Sequence, residues 1–561
     1  MAQVARWINV PVALAILVLA LASCQSSPAP AAPTIAPAAP PASAPPATQA
    51  PAAAPAARKP SGTLTVAVDG LGTEQWLPHQ IFNIQLSFVS GLYDFLVYRD
   101  PNTRELKPGL AESWEVSPDG TAWTFKLRKG VQFHDNRGEV TAADVKFTTE
   151  LVLRKESIAT RAGALRGVID SIETPDPYTV IFRTKPNGWL GYELSNVPPN
   201  IPVVSKKYVE AVGEQDASRK PVGSGPYKFV EHKAGDYVKM EALDSHWRQV
   251  PYFKTLIVKN VPEQATRLAM VRTGEADVTD IPLGFKKEAE GAGLDLRSSK
   301  ATSLIFIQLG NIIQPDKPTY DPKVPWVGPD PQNALKVRQA LNLAVNKQDI
   351  IDHILMSEAE SMAVPMFVPG TPYSMAAWKQ YPYDPAKAKQ LLAEAGYPNG
   401  FELTMRITSN PGVAETPAVG EAVAMAWEQI GLKVKRVNMD YTTMRNGFIN
   451  RQLANITWVA SHSATDEPYL GMIALSHTKS TTMLVAEDSE MDKLTDAASA
   501  TLDYQKRLAV QQQLGQYMYD RYYIVPIAVK HALYAASKKL DKVPMVVRWP
   551  YLHNFEYFAG R

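Results

Sequence analysis

Hydrophobic and polar side chains alternate along parts of the first third of the chain, as expected for half-buried β-strands. Trp123, Phe125 and Leu127 are separated by single polar residues, and Pro118-Asp119-Gly120 supplies the residues of a tight turn before them. We therefore predict a β-hairpin over residues 114–127.

Other segments carry the signals of α-helices. The apolar residues of Val337–Val345 recur at helical spacing. Thr141 followed by Asp144 has the pattern of a capping box, and Asp384-Pro385 begins a helix that Gly396 would end. The mixture of short strands and long helices predicts an α/β fold.

The first residues of the protein have the pattern of an export signal. Arg6 precedes an unbroken run of apolar or proline residues, Val10 to Ala22, which is shorter than the roughly 20 residues of a membrane span but fits a signal-peptide core. Leu21-Ala22-Ser23-Cys24 then resembles the bacterial lipobox, and Cys24 is the only cysteine of the sequence. We predict a lipoprotein signal peptide at 1–23 and lipidation of Cys24. An ordinary signal peptide with an unmodified cysteine is the alternative.

Residues 24–61 have the composition of a disordered linker. The segment is mostly alanine and proline and contains no acidic residue. Such a segment buries too little apolar surface to offset the entropy lost on ordering. Repeated proline favours extended polyproline II, at about 3.1 Å per residue. We expect a semi-rigid spacer between the membrane anchor and a folded domain.

The folded part, about Gly62 to Arg561, is too long for one hydrophobic core, so we expect two or three lobes. The whole sequence has 58 basic and 56 acidic residues. Without the few basic residues that precede Gly62, the net charge is about −1. Nucleic-acid-binding domains usually carry a strong basic excess, so we expect no nucleic-acid partner.

The sequence lacks the short motifs of common hydrolases and metalloenzymes. It has no His-Glu-x-x-His, no paired cysteines, no Gly-x-Ser-x-Gly and no P-loop. His79, His462 and His531 could meet in space, but no spacing requires it. We therefore predict no enzyme activity, no cofactor and no metal site, and we keep a secreted lipoprotein hydrolase as a minor alternative.

Six long segments follow one another along the folded part. The first, Leu106–Thr148, reads LKPGLAESWEVSPDGTAWTFKLRKGVQFHDNRGEVTAADVKFT. The others are Pro221–Trp247, Glu263–Asp280, Leu335–Ile351, Tyr383–Leu403 and Arg521–Ala535. In this order they resemble the characteristic segments of family 5 extracellular solute-binding proteins, the peptide and nickel receptors of ABC importers. The resemblance covers nearly all of the folded part.

The resemblance implies an α/β fold of the periplasmic-binding-protein type, a two-lobe clamshell (type II, cluster C) with an extra subdomain inserted in lobe I. Lobe I would comprise 62–305, with the insertion at about 95–222, and the return segment 528–561. Lobe II would comprise 306–527. Two apolar strands would cross between the lobes, at Ser303–Leu309 and Ile524–Val529.

The resemblance also implies which residues contact a solute between the lobes. In relatives, a loop after the first strand of lobe I and a Trp of lobe II line the cleft, and polar contacts follow the returning hinge strand. The corresponding residues here are Phe82, Asn83, Ile84, Trp458, Ser461, Lys530 and His531. Two further candidates are Asn410, in the loop that ends the first strand of lobe II, and His462, four residues after Trp458. The alternatives are core packing for Phe82 and Trp458, a plain turn for Asn410, and a solvated surface position for Lys530 and His531.

One position departs from the family pattern. Peptide-binding relatives read Trp-x-x-Asp in the segment after Trp458, and that Asp pairs with the free amino group of the peptide. Here Ser461 occupies the position. A neutral hydroxyl does not neutralise a buried ammonium, so peptides with a free amino group are in doubt as the solute. Asp466 could compensate by turning into the cleft.

The predicted function is that of a membrane-anchored receptor that captures a small solute outside the cytoplasm. It would deliver this solute, an oligopeptide or a non-peptide molecule, to the permease and ATPase of an ABC transporter. We expect a monomer, anchored through lipid at the outer face of the cytoplasmic membrane or on the periplasmic side. A ligand-sensing lipoprotein that docks on a signalling partner is the alternative, because folds are reused for such roles.

Overall fold

The computed structural model describes most of the sequence that follows the predicted spacer. The described residues are 59–81, 88–103, 105–159, 162–185, 190, 194–196, 201–310, 315, 320–410, 412–450, 455–464, 467–475, 477–478, 486–501 and 503–561. Cys24, the signal peptide and most of the spacer lie outside the described residues, as do Phe82, Asn83, Ile84 and Asp466.

The described secondary structure alternates strands and helices throughout. The strands are β1 Thr63–Val68, β2 Val97–Arg99, β3 Leu106–Pro108, β4 Ala111–Val116, β5 Ala122–Leu127, β6 Ile169–Asp176, β7 Thr179–Thr184, β8 Tyr227–Lys233, β9 Tyr237–Ala242, β10 Thr255–Asn260, β11 Val278–Ile281, β12 Asp295–Leu309, β13 Ala359–Ser361, β14 Glu402–Ile407, β15 Lys433–Asn438, β16 Ile456–Ser463, β17 Ile524–Ala536, β18 Leu540–Lys542 and β19 Ala559–Gly560. The helices are α1 Ala142–Leu153, α2 Ala162–Val168, α3 Lys206–Val212, α4 Glu214–Arg219, α5 Gln264–Thr273, α6 Lys286–Gly291, α7 Pro331–Leu343, α8 Lys347–Asp349, α9 Pro385–Glu394, α10 Thr416–Gln429, α11 Tyr441–Ile449, α12 Pro468–Leu475, α13 Ser489–Ala500 and α14 Tyr504–Arg521.

The predicted hairpin is confirmed. Strands β4 and β5 pair antiparallel, with Trp114 opposite Phe125. In the connecting turn, the hydroxyls of Ser117 and Thr121 both donate hydrogen bonds to the Asp119 carboxylate. The turn residues therefore satisfy one another locally, as expected for Asp in a turn.

The helix boundaries predicted from capping residues are also confirmed. The Thr141 amide donates to the Asp144 carboxylate over 2.9 Å, which forms the capping box at the start of α1. The Asp384 carboxylate accepts from the Lys387 amide at the start of α9. Gly396 follows this helix with a φ of +93°, a conformation that favours glycine.

One large sheet runs through the molecule. Its strands lie in the order β15-β14-β16-β12-β17-β11-β1-β10-β9-β8, with β13 paired to β17. On one side of the sheet β1 is parallel to β10 and β11, and on the other β14 is parallel to β15 and β16. The antiparallel pair β12 and β17 connects these two parallel groups.

The two crossing strands are longer than the sequence predicted. They pair from Asp295 opposite Ala536 to Gln308 opposite Ile524. The register is irregular between Ser299 and Ser303, where Ala301 has a φ of +57°. This irregular step lies a few residues before the lobe boundary predicted at 305.

Hydrophobic cores lie on both sides of the crossing strands, and one of them also includes Leu268 of α5 and Ile281 of β11. The first contains β1, β10 and the apolar faces of β5 and β7, and we call the part of the protein around it lobe I. Two further cores, which share the crossing strands, include α7, α10, β14 and α14, and we call this part lobe II. The sheet β4-β5-β7-β6 lies within the predicted insertion and belongs to the lobe I core. The other domain boundaries stay predictions.

Among the described residues, no helix combines the length and the apolar character that crossing a membrane requires.

Candidate functional site

A cavity of about 830 Å³ lies where both parallel groups of strands end. Asp69 follows β1, Asp280 belongs to the end of β11, the loop Ser409–Glu415 follows β14, and Ser463 ends β16. Lys530 of β17 completes the wall between the lobes. The carboxyl ends of parallel strands meet at one edge of a sheet, which is the usual position of ligand sites in α/β folds. The volume is typical of a site for a small molecule.

The lobe I wall carries two carboxylates. Ala67 of β1 lies opposite Thr279 of β11 in a parallel register, so Asp69 and Asp280 follow at the same end of the two strands. Oδ2 of Asp280 lies 3.2 Å from Nη2 of the buried Arg267. The Asp280 side chain is nevertheless 44% exposed, so it is accessible from the cavity.

Aromatic side chains surround these two acids. Tyr551, Tyr534, Phe88 and Phe555 all line the cavity. The Tyr534 hydroxyl donates a hydrogen bond to the Pro550 carbonyl. Of these four rings only Tyr551 is partly exposed, and the other three are buried.

The acids of this wall influence one another. Burial raises the pKa of the Asp280 carboxyl above its usual value; Arg267 lowers it and Asp69 raises it, so the net shift is upward. Burial also raises the pKa of the Tyr551 hydroxyl, and Asp69 and Asp280 raise it further. The lobe I wall therefore carries two acidic groups, and Arg267 pairs with one of them, Asp280.

On the lobe II wall, Asn410 is fixed by its neighbours. Its Nδ2 donates to the Val459 carbonyl and to Oγ of Ser461, each over 3.1 Å, and its backbone amide donates to Oγ1 of Thr416. The residue is only 3% exposed. Its Oδ1 atom has no hydrogen-bond partner among the described residues.

Lys530 lies at the same cavity but is already paired. Its Nζ is 3.4 Å from Oε2 of Glu415. His531, the next residue, does not line the cavity; its ring lies 3.4 Å from Glu360 and 3.7 Å from Glu358. Successive residues of a strand point to opposite faces, which explains why these neighbours have different surroundings.

The other predicted contacts that the structure describes are not among the residues that line the cavity. Trp458 is fully buried and packs into the lobe II core that contains Phe306. Ser461 and His462 are half-buried, and Nδ1 of His462 lies 2.7 Å from the Ser463 carbonyl. Trp458 precedes Ser463, the residue of β16 that lines the cavity, by roughly 16 Å of strand. The ligand contacts of these three residues therefore stay predictions.

Several cavity residues were not found from the sequence. Asp69, Asp280, Glu415 and Tyr551 line the wall, whereas the sequence pointed to the loop around Phe82. Asp69 and Asp280 each lie at the end of an apolar strand. Ligand sites of α/β folds usually lie at the carboxyl ends of strands, so this position in the sequence indicates a site residue.

Among the described residues, no group of three or more His, Cys, Asp or Glu side chains is arranged to hold a metal ion. His79 lies beside Glu214, 3.5 Å away. Burial lowers the pKa of His79, against the opposite effect of Glu214.

The sequence profile of bacterial extracellular solute-binding proteins, family 5, matches residues 105–482. The chain belongs to this family. The match includes the lobe I insertion, the crossing strand β12 and the lobe II loop that lines the cavity.

Curated members of the family with similar sequences are named as binding proteins. "Heme-binding protein A" of Haemophilus influenzae is 28% identical over 467 residues, covering 78% of this chain and 81% of that protein. The "Dipeptide-binding protein" of Escherichia coli is 27% identical over 486 residues, covering 78% and 85%. Each match covers more than three quarters of this chain.

Solved structures show the same fold. HbpA2 from Haemophilus parasuis matches with a TM-score of 0.74 and 24% identity, covering 89% of this chain and all of that one. The periplasmic binding protein DppA from Helicobacter pylori, in complex with the peptide STSA, matches with a TM-score of 0.66 and 24% identity, covering 88% and 99%. The fold is the two-lobe clamshell of periplasmic binding proteins.

Proposed function

We propose that this family 5 protein is the solute receptor of an ABC importer. It binds a small solute in the cleft between its lobes and delivers the solute to the permease and its ATPase. The observation that carries the proposal is the cavity of about 830 Å³, walled by the strand ends of both lobes and by Lys530 of a crossing strand. A solute held there contacts both lobes at once.

The crossing strands supply the mechanism of capture. Strands β12 and β17 connect the lobes, and their register breaks between Ser299 and Ser303, beside the cavity residue Thr302. A rotation at this irregular step changes the distance between the cavity walls. Hinge closure of this kind traps a ligand and excludes water from its polar contacts.

The solute is a peptide-like or non-peptide molecule of small size. Position 461 offers no carboxylate to a free α-amino group of the solute. Ser461 has a hydroxyl there, and this hydroxyl accepts a hydrogen bond from Nδ2 of Asn410. The protein acts at the membrane surface, where a lipid on Cys24 holds it through the spacer.

Native mass spectrometry of the protein purified from its host tests the receptor function. We expect a bound small molecule that dissociates on unfolding. The same molecule, added back, should raise the melting temperature, because a ligand of the native state stabilises by about 2.7 kcal/mol at a hundredfold excess over Kd. It should also reduce the radius of gyration in solution scattering. Conversion of the molecule to a product would instead support the hydrolase alternative.

A further inference from the structure

The lobe I wall has a charge imbalance that binding a neutral solute does not explain. Asp69, Asp280 and Glu415 line the cavity, and Lys530 is the one basic residue among its described lining residues. Lys530 pairs with Glu415, and Arg267 pairs with Asp280 from behind the wall. Asp69 makes no ion pair with a described residue, so the excess negative charge belongs to lobe I.

The two acids lie close enough to repel each other. Their interaction contributes to the raised pKa of Asp280, and both also act on the hydroxyl of Tyr551. Adjacent carboxylates in a cleft are stabilised by a cation placed between them. The partly exposed Tyr551 also lines the cavity, and the face of an aromatic ring attracts cations.

An independent observation comes from the opposite wall. Asn410 lines the same cavity, is 97% buried, and keeps its Oδ1 without a partner among the described residues. A buried carbonyl oxygen without a donor is costly. Burial of the Asn410 Oδ1 atom becomes favourable when a bound molecule donates an N–H group to it. Both walls therefore present acceptors and favour a ligand rich in donors.

We propose that the solute carries a cationic group, an ammonium or a guanidinium, which Asp69 and Asp280 bind while Asn410 accepts an N–H from another part of the solute. This inference rests on the proposed receptor function. It names the chemical class of the solute and assigns the cation to lobe I, on the wall opposite Asn410.

Two matched pairs of probes test the charge requirement. Spermidine is compared with triacetylspermidine, and the blocked peptide acetyl-Ala-Lys-Ala-amide with its form acetylated on the lysine Nε. Within each pair acetylation removes the positive charge and adds an acetyl group to each modified nitrogen. The binding of each probe is measured by calorimetry on the wild type, Asp69→Asn and Asp280→Asn, with Asp170→Asn, an exposed acid of β6, as the charge-matched control.

We expect the cationic member of a pair to bind at least about tenfold more tightly than its neutral form. Asp69→Asn and Asp280→Asn should each remove most of this preference, whereas Asp170→Asn should keep it. Asp69→Asn is the decisive variant, because Asp69 has no ion pair with a described residue whose loss could disturb folding. Equal affinities of the cationic and the neutral member in both pairs would overturn the inference. The same holds if both Asp69→Asn and Asp280→Asn bind the cations as tightly as the wild type does.

The solute bound after purification separates this inference from the receptor function. Native mass spectrometry of the wild type should show a cationic molecule that Asp69→Asn loses and Asp170→Asn retains. A neutral or anionic molecule retained by all three proteins overturns the cation site and leaves the receptor function in place. No bound molecule and no binding of any probe contradict the receptor function itself, and the inference fails with it.

Discussion

The Nζ atom of Lys530 lies 3.4 Å from Oε2 of Glu415, and both side chains are about nine-tenths buried. Lys530 belongs to the crossing strand β17, whereas Glu415 ends the loop that precedes α10 in lobe II. The ion pair therefore fixes the loop Ser409–Glu415 against the hinge, on the wall of the cavity. The geometry of the site and the stability of the hinge are connected through this one contact.

Lys530→Met should destabilise the protein, because it leaves the Glu415 carboxylate buried without its partner. Breaking a buried pair from one side costs up to about 3–5 kcal/mol. Removing both charges, as in Lys530→Met with Glu415→Gln, should recover most of this loss. Denaturant unfolding of the two single variants and the double variant measures the coupling. Additive effects would show that the pair contributes little.

His531 should make the stability of the hinge depend on pH. Burial lowers its pKa, but the contacts with Glu358 and Glu360 outweigh burial, so the pKa is raised. Lys286 and Ser298 also contact Glu358, and the pKa of Glu358 falls to about 2, so this carboxylate stays ionised above pH 5.

A raised pKa in the folded state stabilises the protein below the unfolded value of about 6.5. The difference in unfolding free energy between the wild type and His531→Gln should therefore be largest at pH 6 and below. It should decline as the pH rises through the folded pKa. His353→Gln, at an exposed position, is the matched control, and a difference that stays constant from pH 5 to 9 would contradict the prediction.

Lys347 should make the stability of the protein rise with pH, which is opposite to the effect of His531. Its Nζ donates to the Asn342 and Tyr381 carbonyls inside lobe II, and burial lowers its pKa to about 7. Between this value and the unfolded pKa of about 10.4, the unfolded state binds more protons, so stability rises with pH. The unfolding free energy of the wild type minus that of Lys347→Met should therefore increase from pH 7 to 10. The increase should be on the order of a few kcal/mol, as the lowered pKa requires. Lys389→Met, at an exposed position of α9, should show no such increase.

Ser461→Asp should restore affinity for peptides with a free amino group. The new carboxylate would lie beside Nδ2 of Asn410, which already donates to Ser461 over 3.1 Å, and would supply the missing charge. We expect at least about a tenfold gain for trialanine over its N-acetylated form. Ser461→Asn is the control, because asparagine has the shape of aspartate without its charge. Tight binding of trialanine by the wild type would show that Ser461 does not exclude peptides.

Cys24→Ala should abolish the predicted lipid anchor and leave the folded domain unchanged. Incorporation of labelled palmitate and partition into the membrane fraction measure the anchor, and circular dichroism measures the fold. We expect loss of label together with an unaltered melting temperature. Continued labelling of the variant would contradict the lipobox interpretation.

Short-range features of this protein follow from its sequence. The hairpin turn at Asp119, the capping box at Thr141 and the helix start at Asp384 each depend on residues within a few positions of one another. Local hydrogen bonds and alternation of apolar residues decide such features, so they are readable without the fold. The family, the two-lobe fold and the crossing strands follow from long segments whose order is visible in the sequence.

Tertiary structure alone decided which side chains meet at the cavity. Asp69 and Asp280 are far apart in sequence, and only the parallel pairing of β1 and β11 brings them to one edge of the sheet. The sequence predicts Trp458 at the cleft, and its contact with a solute stays a prediction. The structure shows its ring fully buried, because cores cover both faces of the sheet in lobe II. Which face of a strand meets a cavity depends on what packs against each face. That information lies in contacts between distant segments and not in the local pattern.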